Sequence, residues 1–91
     1  MNKKELIDSV ADEADMTKEA AAAAVDAMLD SIVTTLKSGD SVRIAGFGNF
    51  EVTKRKASTG RNPRTGEPIQ IPAAMVPKFK AGKALKEAVN S

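Results

Sequence analysis

Residues 53–72 read TKRKASTGRNPRTGEPIQIP, and this stretch constrains the fold more than any other. Of its side chains only Ile69 and Ile71 are large and apolar, so it has almost nothing with which to anchor itself in a core. The segment from Gly60 to Pro68, with Pro63 inside it, cannot continue a helix. The spacing predicts extended chain on both sides of a turn near Asn62 to Gly66, hence a long, basic, two-stranded ribbon. A coreless segment of this length is usually functional or disordered, and without a partner its tip is expected to be mobile.

The flanking sequence supplies what the ribbon lacks. Asn2 with Glu5 reads as an N-cap and its capping-box partner, and Leu6, Ile7, Val10, Ala11 and Ala14 follow helical spacing. A second helix is expected from an N-cap at Thr17, with Glu19 in its first turn, to a stop at Gly39. Its apolar stripe, Ala21, Ala24, Val25, Met28, Leu29, Ile32, Val33 and Leu36, runs roughly 30 Å. One short preceding helix cannot cover such a stripe. The excess points to a second subunit, the alternative being a purely intramolecular core. Val42 and Ile44 alternate with Arg43 and Ala45 as a strand, Gly46 and Gly48 bracket a reversal, and Phe50 and Val52 resume alternation. AMVPKFK restores an apolar strand, and Gly82 leads into a short last helix with Ala84, Leu85, Ala88 and Val89 inside.

Composition removes several function classes. The chain has 91 residues and lacks Cys, His, Trp and Tyr, so disulfides, thiol chemistry and the commonest general base are absent and a zinc site is improbable. No cofactor or metal is expected. A chain this short buries only about 60–65% of the surface that its unfolded state exposes. No apolar run reaches membrane-spanning length and no signal-peptide core is present, so a soluble cytoplasmic protein without a membrane partner is expected. Asp8, Asp12, Asp15, Asp26 and Asp30 fall on polar helix faces and read as solvated surface. The net charge of +2 conceals a division. Residues 1–40 hold four basic and nine acidic side chains, a net of −5, and residues 41–91 hold ten and three, a net of +7. Such asymmetry suggests a polyanion on one face.

Lys54, Arg55, Lys56, Arg61 and Arg64 give the ribbon many phosphate donors and almost no compensating acid. A two-stranded ribbon fits a DNA groove in width, and arginine is drawn to a narrow minor groove. Pro63 offers a rigid apolar ring that can wedge between base pairs, or it merely stiffens the turn. A second basic group, Lys80, Lys83 and Lys86 with Lys78 and Lys3 as neighbours, either meets flanking DNA or forms an ordinary solvated face.

GFGNFEV, then Arg55, then GRNPRTGEPIQIPA, then VPKFKAGKALK closely resemble the bacterial HU histone-like family, relatives of integration host factor, and the likeness runs over essentially the whole chain. The resemblance implies an α+β fold: a helical base of two N-terminal helices, a three-stranded antiparallel sheet with a long β-ribbon arm, and a short C-terminal helix, in an intertwined dimer. One domain is expected over 1–91, with the base about 1–40, sheet and arm about 41–80, and the last helix about 82–90. By the same resemblance Pro63 intercalates with Arg61, Asn62 and Arg64 beside it. Arg55 maps to an arm phosphate contact and Lys80, Lys83 and Lys86 to body contacts with flanking DNA, while Lys54 and Lys56 on the arm and Lys3 beside the body lysines are expected DNA contacts from their charge and position alone. Phe47, Phe50 and Phe79 map to the dimer core, joined by Val25, Leu29, Ile32, Val33, Leu36 and Ile44. Thr53 and Ser58 stand where many relatives carry arginine, which suggests a weaker arm grip. Ala81 replaces a common proline before the last helix.

The function expected is architectural: largely sequence-independent binding and bending of double-stranded DNA, including bent, nicked or junction DNA, in the bacterial nucleoid, by a homodimer and without enzymatic activity. A sequence-specific subunit in the style of integration host factor is the alternative, and RNA is left open as a further partner.

Overall fold

The computed structural model describes all residues, 1–91, and divides into two compact units, Met1–Thr35 and Leu36–Ser91. The division falls just before the charge boundary, and because Lys37 and Asp40 between the two cancel, the first unit nets −5 and the second +7.

The first unit is helical. Helix α1 spans Lys3–Glu13 and begins as its cap predicts, with Asn2 Oδ1 accepting the Glu5 amide at 2.8 Å. Helix α2 spans Lys18–Lys37, and Thr17 Oγ1 accepts the Ala20 amide at 3.1 Å. Beyond its end the Gly39 amide returns to the Leu36 carbonyl at 3.0 Å. Ala11, Ala21 and Val25 are buried, and they are the only buried apolar side chains of the chain. Two ion pairs tie α1 to α2, Lys3 with Asp26 at 2.6 Å and Lys18 with Asp8 at 3.7 Å. The stripe on α2 is left bare further along: Met28 is 51% exposed, Leu29 40% and Val33 54%.

The second unit carries strands β1 (Val42–Ile44), β2 (Gly48–Arg55), β3 (Ser58–Arg61), β4 (Pro68–Ile71) and β5 (Ala74–Ala81), then helix α3 (Lys83–Val89). β1, β2 and β5 form an antiparallel sheet in that order, and β3 pairs with β4 in a sheet of its own. Register makes the larger sheet two-faced, because laterally paired residues point the same way. Val42, Phe50 and Phe79 form one row on the apolar face, while Arg43, Asn49 and Lys80 form a row on the other. The Phe79 ring lies 4.8 Å from that of Phe50 and 5.5 Å from that of Phe47, centroid to centroid, in tilted geometry. Gly48 lies beneath this group. A Cβ there would come within 2.6 Å of the Phe79 ring and 2.5 Å of the Lys80 carbonyl, so any side chain would displace the strand pairing.

The ribbon differs from the continuous one expected. The β2–β5 ladder ends at Arg55 opposite Ala74, and the β3–β4 ladder starts at Ser58 opposite Ile71. Lys56 and Ala57 on one strand, and Pro72 and Ala73 on the other, lie outside both ladders. Pro72 has no N–H to give a ladder, which breaks the pairing at this point.

Candidate nucleic-acid interface

The tip of the ribbon is organised by one residue. The Asn62 amide donates to the Glu67 carbonyl at 2.8 Å, its carbonyl accepts from the Gly66 amide at 2.7 Å, and its Oδ1 accepts from the Arg64 amide at 2.9 Å. The chain can close in this way because Gly66 adopts φ +73°, a conformation that a side chain disfavours. Pro63 and Arg64 lie on the crest of the turn, both exposed, and the Arg61 side chain is exposed at the end of β3. Asn62, expected as a DNA contact, thus has its side-chain oxygen committed to the turn. On the distal ribbon Ile69 and Ile71 share a face with Gly60, over which the Ile71 side chain lies at 3.2 Å from a hypothetical Cβ. Arg61 occupies the opposite face.

At the break between the ladders Arg55 Nη2 donates to the Pro72 carbonyl at 3.1 Å. The guanidinium carries five donors in a rigid fork, so further ones remain for an anion. Lys54 and Lys56 on either side are exposed and without ion pairs.

The body of the second unit carries the other basic group. Lys80, Lys83 and Lys86 line one open cleft of about 990 Å³ between the polar sheet face and α3. Arg43 and Asn49 line it too, and Arg43 was read from sequence only as the polar position of a strand. Lys80 has Glu51 at 3.3 Å, and Lys83 has Glu87 at 3.9 Å. Lys3, expected alongside them, belongs to the helical unit, where the Asp26 carboxylate holds its ammonium above the ordinary lysine value, first by hydrogen bonding and then by Coulombic attraction.

The residues expected in a subunit interface divide by exposure. Leu29, Val33, Ile44, Phe47 and Phe79 are each more than a third exposed, whereas Ile32, Leu36 and Phe50 are half-buried and Val25 is buried within its own chain. No helix is long and apolar enough to cross a membrane.

A small two-faced sheet with a cationic, coreless arm and a cationic cleft defines a class of protein built to hold polyanions on projecting ribbon and flank. The family model described as "Bacterial DNA-binding protein" matches residues 1–90, and the chain belongs to that family, of which HU is a member. It is 59% identical over 90 residues to DNA-binding protein HU-beta of Pseudomonas aeruginosa, covering 99% of this chain and all of that one. It is 58% identical to DNA-binding protein HU of Staphylococcus aureus, with the same coverage. Among solved structures it is similar to Anabaena HU cocrystallised with DNA, at 50% identity and a TM-score of 0.90 over 98% of this chain and 97% of that one. HU from Thermotoga maritima follows at 42% identity and a TM-score of 0.71 over 98% of each. The α+β fold implied by the resemblance is the fold observed.

Proposed function

We propose that two copies of this chain bind and bend double-stranded DNA as an architectural protein of the bacterial nucleoid. The observation that carries this reading is the arm, which displays Arg61, Pro63 and Arg64 around a turn closed by the backbone and side-chain hydrogen bonds of Asn62. Pro63 makes none of these bonds and is left as a rigid apolar wedge between two cations. Capture is electrostatic: Lys54, Arg55, Lys56, Arg61 and Arg64 neutralise phosphates or enter the minor groove, with little reading of base edges. Pro63 then enters a base step, at a cost of a few kcal/mol of unstacking, and the bend lets Lys80, Lys83 and Lys86 reach the flanking backbone. A second copy covers the bare stripe of α2 and the phenylalanine face. The protein acts in the cytoplasm, and sites that are already bent, nicked or branched need less deformation and bind more tightly.

A salt-series gel shift on linear, nicked and four-way-junction duplexes, combined with fluorescence end-to-end distances, tests this. Binding is expected to fall steeply with salt, by about 10³-fold or more between 50 and 200 mM if six phosphates are neutralised. Pro63→Ala is expected to leave capture within a few-fold and to open the bend. Equal end-to-end distances with mutant and wild type would remove the wedge.

A further inference from the structure

We propose that Arg43 is a further phosphate-binding residue of the body, which extends the lysines of the cleft across the polar face of the sheet. The inference rests on the DNA-binding reading above and deepens it. In the register of the sheet Arg43 stands opposite Asn49, and Asn49 opposite Lys80. All three therefore point from the same face, in a row about 10 Å long across three strands. The same cleft is lined by Lys83 and Lys86, so the row and the helix lysines bound one concave, basic surface.

Arg43, like Lys86 and unlike Lys80 and Lys83, has no acid beside it. The ion pairs of the second unit engage Lys80 with Glu51 and Lys83 with Glu87, and none involves Arg43. Its guanidinium is exposed and always charged, and its planar fork matches phosphate oxygens bidentately. Nothing within the chain gives this strand position a structural need for charge: Val42 and Ile44, on the opposite face, supply the apolar side chains of β1. The occupant that fits an open, positively charged groove on a protein with a phosphate-gripping arm is the backbone of the same duplex, beyond the segment held by the arm.

The test is the slope of log K against log salt on a random-sequence duplex several helical turns long. Arg43→Gln is expected to make the slope shallower by about 1 per copy of the chain, which is about a 3.5-fold smaller loss between 50 and 200 mM salt for each contact removed. Arg43→Lys, which keeps the charge, is expected to retain the wild-type slope. Arg43→Met keeps the aliphatic stem on the strand and reads the charge alone if the Gln variant melts early. An unchanged slope for both neutral variants, even with weaker binding, overturns the assignment while the wild type's own salt-dependent binding upholds the function. A shallower slope on an RNA hairpin alone, with the duplex DNA slope intact, also overturns it. Failure of the wild type to bind duplex DNA at low salt would instead remove the reading on which it rests.

Discussion

Asn62 uses its backbone and its side chain in the same turn, and this separates two roles that neighbouring residues could have shared. Proline presets φ but brings no donor, so Pro63 alone cannot close the tip. The Oδ1 bond to the Arg64 amide, at 2.9 Å, also fixes the backbone on which the Arg64 side chain is carried. Asn62→Ala removes that bond and leaves the Gly66 amide bonded to the carbonyl of residue 62. A side-chain bond of this kind contributes roughly 1 kcal/mol net, or about fivefold in the local closed-to-open ratio. Hydrogen exchange is therefore expected to quicken about fivefold at Arg64 and much less at Gly66. The duplex bend should relax as well, because a loose tip holds its wedge in no fixed orientation. Unaltered exchange at Arg64 would mean that the turn is held by the proline after all.

At the scale of elements, the arm is two ladders with a joint rather than one ribbon. Two residues on each strand lie outside the pairing, and the hydrogen bond from Arg55 Nη2 to the Pro72 carbonyl, at 3.1 Å, bridges the gap. Arg55 thereby restrains the distal ribbon while keeping donors free for phosphate. Arg55→Ala is expected to lower backbone order parameters in β3 and β4 towards the flexible range, below about 0.6, while residues 49–53 of β2 stay near 0.85. No change in the distal ribbon would show the joint to be rigid by other means. The same contact explains what the sequence left hidden. Helix caps at Asn2 and Thr17 and the turn from Asn62 to Gly66 were legible, because each is closed by residues two to five apart. The Arg55–Pro72 bond joins residues 17 apart, and the row of Arg43, Asn49 and Lys80 exists only through two strand registers. Alternation identified Arg43 as polar but could not align it with Lys80. The break at Pro72 was hidden for a related reason, since a proline interrupts a ladder only where its missing N–H was due to pair.

For the whole molecule the decisive fact is how little the single chain buries. No large side chain is fully buried, and Leu29, Val33, Phe47 and Phe79 stay between 40% and 54% exposed. Apolar faces of this extent on a small chain mark an interaction surface, and the one partner certain to be available is another copy. Thermodynamics then differ measurably between a chain that works alone and one that is covered. For a lone chain Leu29→Ala removes a side chain that is already partly in water, at a cost of about 1 kcal/mol. If a second copy completes the burial, the same change leaves a cavity and costs about 2–5 kcal/mol per protomer. Urea unfolding at several protein concentrations distinguishes the two. The wild-type midpoint is expected to rise with concentration, as it must when folding and association are linked. The Leu29→Ala variant is expected to show the larger loss. A midpoint independent of concentration, with the smaller loss, would mean that the stripe on α2 is solvated in the working protein, and the two-armed grip on DNA would then have to be given up for a single arm.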